Sequence, residues 1–461
     1  MNVLQINRRE MTATHKQFDT VVVGLGKTGV SVVSYFIDRG ESVAVVDTRD
    51  QPPGFDFIKK QYPQVPVYLG SYDKDILSNT KKLIVSPGVS IAEPAIQKAV
   101  FAGVELSSDV EIFCQLVDTP IVAVTGSNGK STVVSMLKEM VEQSGLSAQL
   151  AGNIGTPVLD VIAFGKPDFY ILELSSFQLE TLSSLNAVAA LVLNISADHM
   201  DRYANISEYI SAKQTIYDGD GHMIINTDDA QVVAMQESNR NSISYGLSES
   251  DINDFGIRVI KDQRWLCQGA KNLMLESELK LKGNHNVSNA LACLALGSAI
   301  KLPMQGMLNV LRQFSGLPHR CQWVANIDGV DWYNDSKGTN VGASCAAIES
   351  LSEEQTVILI AGGDGKHADF SPLAEVIARC VRMVILIGKD AGKIDQVLKD
   401  KDSRLFATSM EAAVNTAAKL ANTGEVVLLS PACASQDMFT DYQHRGELFC
   451  NAVHELQGRR L

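Results

Sequence analysis

A phosphate-binding loop between a short strand and an amphipathic helix constrains the fold of this chain more than any other feature. The apolar strand covers residues 120–124, and the loop 125–132 reads Thr-Gly-Ser-Asn-Gly-Lys-Ser-Thr. The helix behind it spaces its apolar residues as one buried face. Those residues are Val133, Val134, Met136, Leu137, Met140 and Val141, and Gly145 ends the helix. This order of elements predicts a nucleotide-binding α/β domain.

The end of this loop, Gly129-Lys130-Ser131, has the chemistry that phosphates need. Backbone N–H groups cradle the phosphates, Lys130 neutralises charge on the outer ones, and the Ser131 hydroxyl can hold Mg²⁺. The standard pattern has glycine at position 124, where this chain has valine. We predict that ATP is bound by Gly126, Ser127, Asn128, Gly129, Lys130, Ser131 and Thr132.

The first segment reads as a βαβ unit with a glycine-rich turn. Gly24, Gly26 and Gly29 match a dinucleotide-binding fingerprint, and Asp47 ends the next strand about 20 residues downstream. The glycines permit close approach of the backbone to a diphosphate, and the helix N-terminus attracts its charge. Lys27 adds a further positive charge within the turn. This motif alone is consistent with an NAD-dependent enzyme and equally with a protein that binds another ligand containing a diphosphate.

Further apolar strands alternate with helical segments towards the C-terminus. The stretches 356–360, 383–387 and 426–429 each end in Gly, Ser or Asp, as parallel strands do where ligands bind. Residues 242–281 differ, because short alternating stretches there predict a small antiparallel excursion.

We predict three consecutive α/β domains from these patterns. They are a Rossmann-like domain over residues 1–109, a central P-loop ATPase-type domain over 110–316 and a C-terminal Rossmann-like domain over 317–461.

Composition places the chain among globular cytoplasmic proteins. Hydrophobic residues make up 45% and charged residues 20% of the 461 residues, and no apolar run reaches the roughly 18 residues of a membrane helix. The N-terminus lacks the apolar stretch of a secretory signal and reads as a mobile extension, with Met11 as an alternative start. The eight cysteines contain no CxxC pair, which favours a reducing compartment. A formal net charge of −13 argues against nucleic-acid binding.

Several stretches, taken in order along nearly the whole chain, resemble the Mur ligase family. The phosphate loop lacks the same first glycine as the loops of Mur ligases and folylpolyglutamate synthases. Seven further stretches match the branch of Mur ligases that adds D-glutamate. They are Gly-Asn-Ile-Gly at 152–155, Glu-Leu-Ser-Ser-Phe-Gln-Leu-Glu at 173–180, Asp-His-Met-Asp-Arg-Tyr at 198–203, Gly-Asn-His-Asn at 283–286, Leu-Pro-His-Arg at 317–320, Asn-Asp-Ser-Lys at 334–337 and Ser-Pro-Ala-Cys-Ala-Ser at 430–435.

This resemblance implies an activity that residue spacing alone does not give. It implies an ATP-dependent ligase that joins D-glutamate to UDP-N-acetylmuramoyl-L-alanine through an acyl phosphate and a tetrahedral intermediate, in peptidoglycan precursor synthesis. A carboxylate is a poor electrophile, so phosphorylation supplies the leaving group that an attacking amine needs. The resemblance also implies two Mg²⁺ ions. No oligomerisation helix is visible in the sequence, so a monomer is expected.

The resemblance assigns the catalytic and metal-binding residues. The implied catalytic residues are Lys130, Glu173, His199 and Lys213, with Ser131 and Glu173 at the first metal. His199 and a carbamylated Lys213 are implied at the second. Without the resemblance, Lys213 in Ser-Glu-Tyr-Ile-Ser-Ala-Lys reads as an ordinary lysine on a helix surface. Carbamylation requires a neutral amine and therefore a depressed pKa.

The remaining implied sites are divided among the three substrates. For ATP, the resemblance adds Asn286, Asn289, Arg320, Asp335 and Lys337. Asn286 and Asn289 would also make sense as N-cap residues. The residues from the third domain can act only if that domain closes over the second, which implies a hinge near Gly316-Leu317.

The implied D-glutamate residues are Thr339, Lys366, Ser435 and Phe439. Those implied for the UDP-linked substrate are Lys27, Thr28, Asp47, Thr48, Arg49, Ser86, Pro87, Gly88, Asn153, Ser175 and Gln178. The chain departs from the family pattern at Gly338, where alanine is expected, and at Lys27 and Gln436, where apolar residues are expected.

Four alternatives remain at this point. An oxidoreductase explains the first glycine-rich turn but leaves Glu173, His199 and the second nucleotide loop without a role. A non-catalytic ATP switch has no need for the second-metal residues. A sister ligase is disfavoured by the Asp-Ser-Lys-Gly-Thr-Asn stretch at 335–340, and a folate-glutamylating enzyme by the UDP-type first domain.

Overall fold

A computed structural model describes residues 17–72, 74–200, 202–249, 254–281, 283–352, 356–398 and 403–460. The expectations about a mobile N-terminal extension and a start at Met11 lie outside these residues. The described residues form three sheets that follow one another along the chain, and most strands in each sheet are parallel. This arrangement confirms the predicted α/β fold class.

The chain divides into two compact units. The first unit contains the described residues up to Asp118 together with Ala151–Lys166 and Phe177–Leu185. The second contains Thr119–Leu150, Pro167–Ser176 and Asn186–Leu461. The second unit therefore holds the phosphate loop and the C-terminal sheet in one compact body.

The sheet of the first unit is parallel, with the strand order β3-β2-β1-β4-β5. Its strands are β1 (Phe18–Val23), β2 (Val43–Asp47), β3 (Val67–Leu69), β4 (Thr80–Val85) and β5 (Glu105–Ser107). Its helices are α1 (Lys27–Ile37), α2 (Phe55–Gln61), α3 (Lys74–Ser78), α4 (Pro94–Phe101) and α5 (Asp109–Leu116). Apolar side chains of β1, β2 and β4 pack with α4 in a continuous core.

The middle sheet has the strand order β14-β13-β12-β11-β10-β9-β6-β8-β7. Its strands are β6 (Ile121–Thr125), β7 (Ala148–Gly152), β8 (Phe169–Glu173), β9 (Ala189–Val192), β10 (His222–Asn226), β11 (Ser242–Tyr245), β12 (Phe255–Ile260), β13 (Gln263–Gln268) and β14 (Lys271–Leu275). The helices that follow in this part of the chain are α6 (Lys130–Gln143), α7 (Val158–Val161), α8 (Ser176–Leu179), α9 (Ile206–Gln214), α10 (Ala230–Val233), α11 (Asn284–Ala299) and α12 (Met304–Gln313). Of these, α7 and all of α8 except Ser176 belong to the first unit.

The antiparallel excursion is shorter than predicted. β12, β13 and β14 pair antiparallel, as expected. However, β11 pairs in parallel with both β10 and β12, so the prediction was wrong for residues 242–245. β11 is a partly buried parallel strand that alternates polar and apolar residues, a pattern more typical of antiparallel strands, which explains the error.

The C-terminal sheet has the order β15-β16-β20-β17-β18-β19 and is parallel except for its first hairpin. Its strands are β15 (Gln322–Ile327), β16 (Val330–Asn334), β17 (Val357–Gly362), β18 (Val381–Ile387), β19 (Arg404–Phe406) and β20 (Val426–Leu429). Its helices are α13 (Val341–Ser352), α14 (Ser371–Cys380), α15 (Ala391–Val397), α16 (Met410–Leu420) and α17 (Tyr442–Arg460). Apolar clusters cover both faces of this sheet.

Helix α6 shows how the sequence pattern fixes the position of the phosphate loop. All the apolar residues of its predicted face are buried. Its N-cap is Gly129, whose φ of +87° lies in the left-handed region that favours glycine. Packing of this face against the rest of the domain holds the helix N-terminus at the end of β6. None of the helices in the described parts of the chain has the length and apolar character to cross a membrane.

Candidate active site

The phosphate loop connects the carboxyl end of β6 to the first turn of α6. Lys130 curls back over this loop, where its Nζ donates to the carbonyl oxygens of Gly126, at 2.7 Å, and Ser127, at 2.9 Å. Burial lowers the pKa of Lys130, although Glu173 acts in the opposite direction. Asn128 N donates to Asn194 Oδ1 at 2.9 Å, which fixes the tip of the loop to the end of β9. Hydrogen bonds from Lys130 and to Asn194 therefore fix the conformation of the loop.

Ser131 joins the loop to a buried carboxylate and to a cation from the C-terminal part of the chain. Its Oγ donates to Glu173 Oε2 at 2.7 Å, and Arg320 Nη2 donates to Ser131 Oγ at 2.6 Å. Glu173 ends β8, the strand beside β6, and is only 3% exposed. Sequence reasoning selected all three residues, and the fold brings them into contact.

Lys213 lies inside the second unit. It is 2% exposed, so its interpretation as an ordinary lysine on a helix surface is wrong. Its Nζ donates to Thr125 Oγ1 at 3.2 Å and to Gly126 O at 3.0 Å. Burial, reinforced by the nearby Lys130, holds the pKa of Lys213 well below its ordinary value. A low pKa provides the neutral amine that carbamylation needs.

His199 occupies a strained backbone position beside an acidic neighbour. Its φ is +57°, and its Nε2 lies 3.7 Å from Asp198 Oδ2. Within the residues that the structure describes, no group of three or more His, Cys, Asp and Glu side chains forms a ready metal site. The donors that suit Mg²⁺ are the hydroxyl of Ser131 and the carboxylate of Glu173, because this ion prefers oxygen ligands.

A cavity of about 210 Å³ opens beside the phosphate loop. The sequence-predicted ATP residues that line it are Asn128, Gly129, Thr132, Asn286, Asn289, Arg320, Asp335 and Lys337. The explanation of Asn286 and Asn289 as plain N-caps is wrong, because α11 begins at Asn284 with Gly283 as its N-cap. His285 also lines the cavity, and burial lowers its pKa to about 4, so its ring is neutral at physiological pH.

Asp335 and Lys337 follow β16 and project from a tightly held loop. Asp335 accepts hydrogen bonds from Ser430 Oγ at 2.7 Å and from Cys321 N at 3.2 Å, and burial raises its pKa to about 6. Lys337 Nζ lies 3.9 Å from the centroid of the Tyr442 ring, and burial lowers the pKa of this lysine to about 8. Tyr442 was missed by sequence reasoning, because nothing in its neighbourhood indicated a contact with Lys337.

The predicted D-glutamate residues lie in loops at the carboxyl edge of the C-terminal sheet. The loops that follow β17 and β20 are bridged by two backbone hydrogen bonds between Asp364 and Ala434, at 2.8 and 3.0 Å. Lys366 and Ser435 therefore belong to neighbouring loops. Thr339 N donates to Lys337 O at 2.8 Å, so this residue continues the loop after β16. Phe439 packs against the apolar cluster on one face of the sheet.

Most of the residues predicted for the UDP-linked substrate lie in the first unit, at the carboxyl edge of its sheet. Asp47 accepts from Leu25 N at 2.7 Å and forms an ion pair with Arg49 at 2.6 Å. Burial alone would raise the pKa of Asp47, but the hydrogen bonds from Arg49 and Leu25 bring it below its ordinary value. Ser86 Oγ donates to Gly24 O at 2.9 Å and joins the two turns.

The other residues predicted for this substrate are distributed as follows. Lys27 is the exposed first residue of α1, followed by Thr28, and Thr48 lies between Asp47 and Arg49. Pro87 and Gly88 follow Ser86 after β4. Asn153 and Gln178 belong to the first unit, whereas Ser175 belongs to the second.

Two further residues near the site were also missed. Asn340 Nδ2 donates to Asn128 Oδ1 and to Asp198 Oδ2, and Arg445 is a fully buried arginine behind the loop after β16. An N-cap residue before α13 could have been expected from the sequence. The long-range contacts of these side chains could not, because they depend on how distant elements pack.

Together, these features define a class of protein: an α/β enzyme with a phosphate loop, a buried carboxylate and converging cations suited to phosphoryl transfer. Family models agree with this class. Residues 18–108 match the MurD-like N-terminal domain, 124–297 the Mur ligase middle domain, and 319–433 the glutamate ligase domain of Mur ligases. The chain belongs to the Mur ligase family.

Curated relatives extend over nearly the whole chain. A UDP-N-acetylmuramoylalanine–D-glutamate ligase of Marinobacter nauticus is 51% identical over 95% of this chain and 98% of its own length. The ligase of the same name from Pseudomonas putida is 47% identical over 94% of this chain and 96% of its own length.

Solved structures share the fold at low sequence identity. A UDP-N-acetylmuramate–alanine ligase from Thermotoga maritima has a TM-score of 0.60 and 17% identity, and covers 96% of this chain and 100% of its own. A pseudomurein peptide ligase from Methanothermus fervidus has a TM-score of 0.60 and 18% identity, with 95% and 100% coverage. These likenesses support the fold alone.

Proposed function

We propose that this chain is an ATP-dependent ligase that joins D-glutamate to UDP-N-acetylmuramoyl-L-alanine in the synthesis of peptidoglycan precursors. The observation that carries the proposal is the contact of Arg320 with Ser131, which also binds Glu173. A cation, a phosphate-loop hydroxyl and a buried carboxylate thus meet near the cavity beside the phosphate loop. This arrangement suits phosphoryl transfer, and the full-length relatives named as D-glutamate ligases support the choice of substrates.

The reaction begins by making a carboxylate reactive. A carboxylate oxygen of the muramoyl-alanine substrate attacks the γ-phosphorus of ATP, and ADP leaves with the electrons of the broken P–O bond. Lys130, Arg320 and Lys337 offset the charge on the transferring group. The amine of D-glutamate then adds to the acyl carbon of the phosphorylated product. The tetrahedral intermediate collapses to the amide, with release of phosphate and a proton.

The proposal includes two Mg²⁺ ions. Ser131 and Glu173 present a hydroxyl and a carboxylate 2.7 Å apart, which fits an ion with oxygen ligands. His199 and carbamylated Lys213 are proposed for the second ion. Bound magnesium would supply charge neutralisation at the phosphates.

Carbamylation of Lys213 is a separate part of the proposal. The neutral amine adds to carbon dioxide, forms an N–C bond and loses a proton, which yields a carbamate. The burial and low pKa of Lys213 support this chemistry. Carbon-13 NMR of protein equilibrated with labelled bicarbonate is expected to show one carbamate signal that disappears in Lys213→Ala. The absence of this signal in the parent protein, or full activity of Lys213→Ala, would contradict the assignment.

The amino acid is proposed to bind at the loops that carry Thr339, Lys366 and Ser435, with Phe439 as an apolar wall. A lysine and hydroxyls suit the two carboxylates of glutamate. The UDP-linked substrate is proposed to bind at the turns after β1, β2 and β4. The ion pair of Asp47 with Arg49 and the bond from Ser86 to Gly24 O give these turns a fixed shape.

The decisive experiment measures phosphate release with ATP, Mg²⁺ and UDP-N-acetylmuramoyl-L-alanine. D-Glutamate is tested against L-glutamate, glycine, L-alanine and L-lysine. Release that depends on D-glutamate alone supports the reaction, the substrate and the stereochemistry together. Release with another amine retains the ligase chemistry and overturns the amino-acid assignment. No release with any amine contradicts the proposed function.

We also propose three functional domains over residues 1–109, 110–316 and 317–461, and a monomeric cytoplasmic enzyme. The family models support these divisions, because they end or begin at residues 108, 124, 297 and 319. All eight cysteines are free, which suits a reducing compartment. Light scattering during size-exclusion chromatography is expected to give the mass of a single chain.

A further inference from the structure

Arg445 is a buried cation that the proposed reaction does not use. It lies in the first turn of α17 and is 0% exposed. Burial lowers its pKa only to about 10, so the guanidinium remains charged at neutral pH. Among the residues that the structure describes, no carboxylate pairs with it within 4 Å. A buried charge without a directly paired carboxylate is costly, although Asp437 and Asp335 attract it from a longer distance, and this cost requires an explanation.

The guanidinium binds two loops at once. Its Nε donates to Ser336 Oγ at 2.9 Å, and its Nη2 donates to Ser336 O at 2.7 Å. Its Nη1 donates to Cys433 O at 3.1 Å. The planar fork of arginine allows these three hydrogen bonds to point in fixed, different directions, which lysine could not reproduce.

The two loops carry residues that the proposed function assigns to ATP and to D-glutamate. Ser336 lies between Asp335 and Lys337, which line the ATP cavity. Cys433 lies two residues before Ser435, which is proposed to bind D-glutamate. Arg445 therefore contacts the backbone of both substrate loops from behind.

A second set of hydrogen bonds joins the same loops without a cation. Ser430 Oγ donates to Asp335 Oδ2 at 2.7 Å and contacts Ser344 Oγ at 2.8 Å. Ala432 N donates to Ser344 Oγ at 2.9 Å. These bonds already connect the two loops. Arg445 therefore contributes two further things: it fixes the orientation of one loop relative to the other, and it places a positive charge behind them. Anionic substrates at the loops would add to the attraction that Asp437 and Asp335 exert on this charge from a longer distance.

We propose that Arg445 is a positioning residue that couples the ATP loop to the amino-acid loop, so that both sites are formed together. This inference rests on the proposed function, which assigns ATP to Asp335 and Lys337 in the loop after β16 and D-glutamate to Ser435 in the loop after β20. Arg445 touches neither substrate. Its loss is therefore expected to weaken binding of ATP and of D-glutamate in parallel.

The test compares Arg445→Met with Arg445→Lys by measuring KM for each of the three substrates. In Arg445→Met, KM for ATP and for D-glutamate is expected to rise at least tenfold. KM for UDP-N-acetylmuramoyl-L-alanine is expected to stay within twofold. Arg445→Lys keeps the charge but not the fork and is expected to recover part of the loss. Added guanidinium is expected to restore activity to an Arg445→Gly variant.

Arg382→Met is the matched control. Arg382 forms a bidentate pair with Glu425 at 2.6 and 2.7 Å and donates to Leu420 O at 2.8 Å, away from both substrate loops. Its loss is expected to lower Tm and leave all three KM values within twofold. Ser336→Ala removes one acceptor of Arg445 and gives a milder variant if Arg445→Met does not fold. It is expected to raise both KM values about threefold.

Three results would overturn the inference. They are unchanged KM values in folded Arg445→Met, a rise for only one of the two substrates, or an equal rise for all three. If Arg445→Met does not fold, unchanged KM values in Ser336→Ala have the same meaning. Failure of the proposed function is recognised separately, because the parent protein is assayed first with the panel of amines. If another amine is used, the coupling is measured with that amine.

Discussion

Asn340 Nδ2 lies 3.1 Å from Asn128 Oδ1, and this contact joins the start of α13 to the tip of the phosphate loop. The same amide donates to Asp198 Oδ2 at 3.2 Å, beside His199. Its Oδ1 meanwhile accepts from Ala343 N at 2.8 Å and caps α13. The side chain of Asn340 thus caps α13 and also hydrogen-bonds to the phosphate loop and to Asp198, which are both part of the proposed ATP site.

The two roles of Asn340 can be separated by substitution. Asn340→Ser keeps a capping oxygen but loses the amide donor, whereas Asn340→Ala loses both. We expect kcat/KM for ATP to fall about tenfold in both variants, because the loop is no longer fixed against Asn128. Only Asn340→Ala is expected to lose about 1 kcal/mol of stability, the usual value of an N-cap. Full activity of a folded Asn340→Ser would show that the contact with Asn128 has no role in ATP use.

Lys337 is expected to produce a basic limb in the pH profile of kcat/KM for ATP. Burial, reinforced by Arg320, lowers the pKa of Lys337 to about 8. Its positive charge is therefore present below about pH 8 and is lost as the pH rises further. The limb is expected near pH 8 in the parent protein, since kcat/KM reports the pKa values of the free enzyme.

Lys337→Arg provides the control for this profile. Arginine remains charged throughout this pH range, so the ratio of kcat/KM at pH 9.5 to that at pH 7.0 is expected to be closer to one than in the parent. The absolute rate of the variant can be lower without affecting this ratio. An unchanged limb in Lys337→Arg would assign the titration to another group.

Tyr442 is expected to act through the face of its ring. Lys337 Nζ lies 3.9 Å from the ring centroid, a cation–π distance. Tyr442→Phe retains this ring and is expected to keep KM for ATP within twofold. Tyr442→Ala removes it and is expected to raise KM by about 2- to 30-fold, which corresponds to about 0.5–2 kcal/mol. Equal KM values in the two variants would contradict a role for the ring.

The fold could be predicted where burial follows a regular period. The face of α6 that runs from Val133 to Val141 repeats at helical spacing, and its apolar residues are buried. The strand 426–429 was predicted with its observed bounds. Residues 242–245 were assigned wrongly, because short alternating runs do not specify whether the neighbouring strand is parallel or antiparallel.

The site could be predicted only where residues lie next to glycine-rich loops or match a family stretch. Lys213 lies at helical spacing from Tyr209 and Ile210, but a lysine beside an apolar face usually extends its charge to solvent, so its burial was not expected. Arg445 gives even less indication, since α17 has little apolar periodicity and the partners of this arginine lie far away in sequence. Gly338 is a departure from the family pattern that the structure explains. A Cβ there would lie 2.5 Å from Asp335 Oδ2 and 2.8 Å from Ser430 Oγ, which accounts for glycine at a position where alanine was expected.

Asp109 and Glu111 are expected to make the stability of the first unit depend on pH in opposite directions. Asp109 is 3% exposed, its buried Oδ1 has no hydrogen-bond partner among the described residues, and burial raises its pKa from 3.8 to about 6. The folded state therefore binds this proton more tightly than the unfolded chain. The resulting stabilisation is complete below about pH 4 and is lost as the pH rises through about 6.

Asp109→Asn removes this titration. The free energy of unfolding of the variant, relative to that of the parent, is expected to be about 2–3 kcal/mol higher at pH 7 than at pH 4, because the pKa of Asp109 is shifted by roughly two units.

Glu111 is the control, with the opposite dependence of stability on pH. Burial alone would raise its pKa, but hydrogen bonds from Ser183 and Ser184 lower it. Its stabilisation is present at neutral pH and lost in acid, so Glu111→Gln is expected to destabilise the unit more at pH 7 than at pH 4. Hydrogen exchange of α5 amides at both pH values, corrected for intrinsic rates, measures these free energies. Parallel pH responses of the two variants would refute the assignment for Asp109.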